Sequence, residues 1–257
     1  TMTFTTILFC AVALERWRWP WWKVTALGGL FLVVDVTFFA ANIDKIPHGG
    51  WVPLLIAGLI FTLMATWKRG RIRLTAIIES SSLPMDLFLG DAVKRCVRVP
   101  GTAVFMTSHA GGAPPVLLHH VKHNKVLHEQ VILMSVRTRD IPYVPEDERM
   151  TFRELGEKFY ELQAEYGFME SPNVPDLLRG LQAHGVAVRP LETTYYLGRE
   201  TLIVTPERKP RPADAPPPLS TWRKRLFVVM SRNAQSATAF FGLPPNRVVE
   251  MGAQIQF

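Results

Sequence analysis

Two uninterrupted apolar runs set the terms for this 257-residue chain. Residues 24–41, VTALGGLFLVVDVTFFAA, hold one charge in eighteen positions, and residues 51–67, WVPLLIAGLIFTLMATW, hold none in seventeen. At about 1.5 Å of rise per residue each covers roughly 26 Å, just short of a ~30 Å hydrocarbon core. Trp, Gly and His flanks supply the remaining reach. Two buried helices of a soluble protein would share this composition, but the borders argue for a membrane. ERWRWPWWK precedes the first run and WKRGRIR follows from the end of the second, and Trp belts with basic flanks mark a bilayer boundary. The first fourteen residues, TMTFTTILFCAVAL, are apolar as well. They lack a charged n-region and an A-x-A site, so they read as the end of a further membrane helix and not as a signal peptide. The sequence thus reads as a piece of a longer protein, with spans at about 1–15, 22–41 and 49–68 within a membrane segment of residues 1–75.

Charge gives these spans a direction. Residues 1–75 carry eight Lys/Arg against three acids, whereas residues 76–257 carry 21 against 19, so most of the net charge of +7 lies beside the apolar runs. Seven basic residues fall in the two Trp-rich borders and only Lys45 in the connector NIDKIPHGG, residues 42–50. The positive-inside rule places the borders in the cytoplasm and the connector outside, and so short a connector makes the two full spans an antiparallel hairpin. Residues 76–257 have no basic stripe of the kind a nucleic-acid domain carries, which removes nucleic acid from the expected partners and leaves membrane lipid. Cys10 and Cys96 are too few for a disulfide framework or a CxxC zinc site.

Beyond residue 75 the pattern becomes α/β, giving a fold class of membrane helices followed by a mixed-sheet cytoplasmic domain. RIRLTAIIESSS prolongs the second span, and Pro84 suits the first turn of a helix running to about Arg95. GTAVFMTS (101–108) and EQVILMSVRT (129–138) read as buried strands joined by a short helix, VLLHHVKHN, in a βαβ unit. KFYELQAEYGFME alternates Tyr160, Leu162, Ala164, Tyr166 and Phe168 against Glu161, Gln163 and Glu165, a half-buried strand expected to pair with residues 149–155. Residues 171–185 predict a helix capped by Asn173 and closed at Gly185, followed by a strand or hairpin over 193–205. The main α/β domain thus covers 76–205. Six prolines in residues 206–220 mark an extended linker. Residues 221–257 then supply an amphipathic helix over 221–242, equally suited to the inner membrane face or to its own sheet, and a final strand in RVVEMGAQIQF.

Few residues suggest chemistry. Asp35 sits two-thirds along its span, where a carboxylate serves as a cation or proton site or hydrogen-bonds to neighbouring helices. SHAGGAPP lies between a strand and a helix, so Ser108, Gly111 and Gly112 could cradle an anion with backbone N–H groups, although GxGxxG spacing and a P-loop lysine are missing. HHVKHNKVLH holds four of the seven histidines. His119 and His123 share a helical face at zinc-binding spacing, but no HExxH is present and Lys122 and Lys125 repel a cation, so no metal is expected. His120 and His128 are expected at a helix–strand junction. No nucleophile elbow or Ser-His-Asp set appears, so an enzyme is not expected.

Long blocks of the chain resemble the Kup (KUP/HAK/KT) family of potassium uptake permeases. The blocks are VKHNKVLHE flanked by VRVPGTAVFMT and VILMSVRTRDIPYV, FFAANIDKIPHGGWVPLLIAGLIFTLMATWKRGR, YGFMESPNVPDLL and PPNRVVEMGAQI. The resemblance covers nearly the whole chain and breaks down around the proline-rich stretch. It implies twelve transmembrane helices with cytoplasmic ends, a five-plus-five inverted-repeat core, a bacterial inner-membrane location and potassium–proton symport without a cofactor. This chain would then begin inside the tenth helix and end with the cytoplasmic regulatory or assembly domain. The potassium-coordinating helices would lie upstream, which weakens Asp35 as an ion ligand. Expected partners are the N-terminal transmembrane core of the same protein and a second copy in a homodimer. The alternative is a membrane-anchored module that senses a nucleotide or anion through residues 108–115.

Overall fold

The structure, a computed structural model, describes residues 2–43, 45–80, 82–93, 96–108, 111–204 and 219–257. The proline-rich stretch expected as a linker lies almost wholly outside the described residues. The chain divides into two compact units, Thr1–Met64 and Ala65–Phe257. Among the described residues, two helices are long and apolar enough to cross a membrane.

In the first unit, α1 (Met2–Glu15) packs on α2 (Trp21–Ile43). Ala13 is fully buried and Val24 nearly so. Gly28 is there for closeness, since a Cβ at that position would sit 2.4 Å from the Cys10 sulfur. After a π-helical turn at Ile46–Gly50, α3 (Trp51–Ser80) begins. The hairpin expected between the two full spans is not the packed pair: residues 51–61 of α3 are exposed on every side. The close approach at Gly28 and the Thr6–Asp35 hydrogen bond lie between α1 and α2, whereas the start of α3 offers an apolar surface of the kind that lipid or further helices cover.

The second unit is built on a mixed sheet. Its long strands are β2 (Val97–Thr107), β4 (Val126–Arg139), β5 (Met150–Gly156), β6 (Phe159–Gly167), β7 (Thr194–Ile203) and β8 (Val248–Gln256), in the order β5-β6-β4-β2-β7-β8. Only β5 is antiparallel, to β6; every other pairing is parallel. The two-residue strands β1 (Leu83–Pro84) and β3 (Gly112–Ala113) pair separately. Parallel strands need helical crossovers and cover on both faces, and the sequence supplies both. On one face α5 (Pro115–Asn124), joining β2 to β4, buries Val116 and Leu117 against Ala103, Phe105 and Leu133. On the other, α6 (Val174–Gly180) buries Val174, Leu177 and Leu178 against Val104, Ile132 and Leu162. The expected cap at Asn173 is present, its side chain accepting the Asp176 N–H at 3.3 Å, and Gly185 closes the helical stretch in the left-handed region at φ 78°. At Pro100–Gly101 the β2–β4 register shifts, and φ of 108° at Gly101 is a value only glycine adopts easily.

Several local expectations change. The helix expected after Pro84 is present from Met85 as α4 (Met85–Leu87) continuing into a π-helical stretch, Phe88–Ala92; its expected end at Arg95 lies outside the described residues. Helix α5 ends at Asn124 and is closed by Lys125 in the left-handed region, φ 56°. Strand β6 keeps the expected alternation, with Glu161, Gln163 and Glu165 half-buried opposite buried Leu162, Ala164 and Tyr166, but Phe159 on the acidic face is fully buried, while Phe168 lies beyond the strand end and is 59% exposed. Of the strand or hairpin expected over 193–205, the strand is found, at Thr194–Ile203. The helix expected over 221–242 stops at Arg232 as α7 (Thr221–Arg232), and Ser236 caps a separate α8 (Ala237–Phe240), accepting the Ala239 N–H at 3.4 Å.

The inner face of α7 completes a third core. Phe227 is fully buried among Leu74, Leu202, Val228 and Phe257. Its ring stacks on Phe257 at 5.0 Å and lies 5.5 Å from Trp67. Lys224 is 96% enclosed, its Nζ donating to the Phe257 carbonyl at 3.2 Å. Gly70 on α3 makes the crossing possible, since a Cβ there would meet the Phe227 ring at 2.3 Å. Gly70→Val is therefore expected to cost about 1–3 kcal/mol as an overpacked site, and Phe227→Ala about 3–5 kcal/mol through the lost aromatic volume. Chemical denaturation of the chain in nanodiscs measures both.

Candidate functional site

The cavity of the second unit lies at the carboxyl ends of β2 and β4, the edge at which open α/β sheets place their ligands. Its volume is about 570 Å³, within the range of small-molecule sites. Met106, Val136, Leu197 and Phe241 contribute apolar wall, while Ser108, His119 and Thr138 contribute polar groups. Arg71 and Thr75 from α3 line it as well, as does Glu200 from β7. Burial pushes the Glu200 carboxyl above its ordinary range, and the Arg71 charge pulls it partly back.

Of the three residues expected to cradle an anion, only Ser108 lines this cavity. Gly111 donates its N–H to Glu161 Oε1 at 2.8 Å, and Gly112 pairs with Pro84. One backbone donor is thus occupied by a carboxylate, which also repels an anion. The intervening His109 and Ala110 lie outside the described residues.

The histidine stretch divides in two. His119 and His123 do share a face of α5, with ring centroids 6.1 Å apart. No group of three or more His, Cys, Asp or Glu able to hold a metal occurs among the described residues. His120 and His128 turn inward. His120 is 1% exposed, with its ring 4.6 Å from Tyr196, 5.5 Å from Phe105 and 6.5 Å from His128. Tyr196 and Phe105 stack almost parallel at 4.6 Å. The Asn124 side-chain amide lies 3.0 Å from His120 Nδ1, within hydrogen-bonding distance. Burial lowers the pKa of both histidines, and for His120 the neighbouring His128 adds to the effect. His128 lies within β4 and not ahead of it, and its carbonyl accepts from Arg98 at 2.8 Å.

In the first unit Asp35 is 7% exposed, and its Oδ2 accepts the Thr6 hydroxyl at 2.7 Å. This carboxylate has a partner on the adjacent helix, the arrangement that tethers α2 to α1.

The sequence model of the K+ potassium transporter integral membrane domain matches residues 1–72, and that of the K+ potassium transporter C-terminal domain matches residues 100–257. The chain belongs to the Kup family of potassium transporters. It is 56% identical, over its whole length, to the probable potassium transport system protein Kup of Anaeromyxobacter sp. strain K, and covers 38% of that protein. The corresponding protein of Myxococcus xanthus is 48% identical over 99% of the chain, again covering 38% of the relative. Kup 1 of Geobacter sulfurreducens is 48% identical over the whole chain and is 40% covered. The chain thus spans about two fifths of the length of these curated relatives.

Within this Kup-family chain, sequence reasoning missed two arrangements. One is the cavity itself, whose polar residues come from α3, the end of β2, β4, α5 and β7 and share no local motif. The other closes the end of β6. The Glu170 carboxylate accepts the N–H groups of Gly167 at 2.7 Å and Val144 at 3.0 Å, and pairs with Arg149 at 2.5 Å. Those backbone donors, foremost that of Gly167, hold its pKa below the ordinary value.

The buried histidines give a pH prediction. Their folded pKa values lie below the ordinary 6.5, so the unfolded chain binds the extra protons, and stability falls as pH drops from about 6.5 through the folded values. The Glu170 contribution is lost only as pH falls below its ordinary 4.5, a separate window. Unfolding midpoints between pH 7.5 and 5 should decline for the wild type and flatten for His128→Gln; identical profiles would contradict the assignment.

Proposed function

We propose that this chain is the C-terminal portion of a transporter that carries potassium into the cell together with protons. It supplies the terminal transmembrane helices and a cytoplasmic regulatory or assembly domain. One observation carries the reading: membrane-domain and C-terminal-domain matches follow each other in the same chain, each on the unit with the corresponding architecture. The relatives' names support potassium as the cargo, and the apolar helices support a bacterial inner-membrane location. The excess of basic residues at the two Trp-rich borders supports a cytoplasmic placement for the sheet domain. The ion-coordinating helices belong to upstream sequence, and Asp35 serves helix packing. The proton as coupling ion, and the homodimer as assembly, rest on the family resemblance.

The domain acts on transport through contacts that differ between transport states, the only way a bound domain shifts an equilibrium. In a strain lacking its own potassium uptake systems, the full-length protein is expected to restore growth at low potassium, and growth no better than the empty vector would refute the transport reading. A protonophore should collapse rubidium uptake if protons drive it.

The 570 Å³ cavity favours a second, compatible reading in which the domain senses a small ligand. Glu200 in its wall and Glu161 on the Gly111 N–H weigh against a multiply charged anion there. Titration calorimetry of the chain in detergent with nucleotides and inorganic phosphate tests the sensing of such ligands. No heat across the panel would rule out nucleotide or phosphate sensing at this cavity.

A further inference from the structure

Helix α7 is half inside its domain and half outside. Lys224, Phe227 and Val228 are buried against the third core. The opposite side shows Trp222 at 54% and Val229 at 56% exposure, with Arg225 and Arg232 exposed beside them. Spacings of 3, 4 and 3 residues set Trp222, Arg225, Val229 and Arg232 on one stripe of a 3.6-residue helix. Arg223 flanks it, its guanidinium 5.2 Å from the Trp222 ring centroid. No acidic residue occurs anywhere in α7. A stripe of one tryptophan, one aliphatic and two arginines is uncommon as a freely solvated face, because it exposes a large apolar ring while concentrating a single sign of charge.

The place where α7 is fastened identifies what meets this stripe. Its anchor, Phe227, packs on Trp67 and Gly70 of α3. Those residues bracket Lys68 and Arg69, the Trp-and-basic border at which the apolar run of α3 ends. Within one helical turn of that border the surroundings of a spanning helix are lipid headgroups. Tryptophan settles at this level, and arginine is drawn to anionic headgroups there.

We propose that the outer stripe of α7 rests on the anionic headgroup layer of the membrane that α3 crosses, so that α7 is wedged between its own domain and the bilayer. The inference rests on the reading that α3 spans the membrane. On this reading the stripe and the exposed Lys68–Arg69 border both meet the headgroup layer, with Trp222 and Val229 entering the interface. The sheet domain is thereby held to the membrane by a second point besides the covalent one at α3.

The test places a nitroxide on the full 257-residue chain, with Cys10 and Cys96 replaced by serine, in nanodiscs of phosphatidylcholine alone or with phosphatidylglycerol. Val229→Cys reports the stripe, Tyr143→Cys a solvent reference and Ile56→Cys the span. With anionic lipid, the label at 229 should gain oxygen accessibility and lose accessibility to an aqueous nickel chelate, relative to that at 143. Arg225→Gln and Arg232→Gln should each shift the bound-to-unbound ratio about fivefold toward water. A label at 229 as water-accessible as that at 143 in both lipids overturns the proposal. If the label at 56 is not in hydrocarbon, the spanning reading itself fails; if it is and 229 stays in water, only the present inference fails. Protection at 229 that ignores lipid charge and disappears on dilution with unlabelled chain would assign the stripe to a second copy and overturn the lipid assignment.

Discussion

The sheet domain depends on burying β4 from both sides. It lies between β6 and β2, parallel to each. Ile132 and Met134 point into one core, Val131 and Leu133 into the other, and all four are essentially inaccessible. A strand so placed has no solvent face, and a one-residue slip would exchange its two sets of side chains between cores of different shape. The helices therefore have fixed duties: α5 closes one core as the crossover between β2 and β4, and α6 closes the other. The cavity follows from the same constraint. The strands end at one edge where the crossover begins, and the wall there comes from whatever the chain brings to that edge.

The second dependence is on α3, which is apolar at its start and enters the packing of the sheet domain at its end. From Ala65 onward its side chains serve two purposes. Trp67, Gly70 and Leu74 receive α7 and the chain terminus, whereas Arg71 and Thr75 face the cavity. Any group that occupies the cavity is thus in contact with the helix that continues as a membrane span.

Much of this was legible in order along the chain. The apolar runs, the strands at 101–108 and 129–138, the pairing of residues 149–155 with the next strand and the Asn173 cap all follow from local periodicity and capping chemistry. The β6 strand shows the limit. Its alternation identified Leu162, Ala164 and Tyr166 correctly, but the acids on its other face concealed that Phe159 enters a second core. Alternation reports the neighbours along a strand and not what is stacked above each end of it. The same limit separated His120 and His128 from the remainder of HHVKHNKVLH. Nothing in the spacing states that the Tyr196 ring, on β7, lies 4.6 Å from His120.

The sequence by itself determined which stretches are long and apolar enough to cross a bilayer and where most of the strands and helices fall. Those properties arise from transfer free energies and backbone geometry that act over a few residues. The tertiary structure decided that Thr6 meets Asp35, that Gly70 admits the Phe227 ring, that Ser108 reaches the cavity while Gly111 binds Glu161, and that α7 turns Trp222 outward. The contacts among these join residues 29 to 157 positions apart, and all are set by which faces can be packed together at once. A chain of local preferences carries no record of that choice.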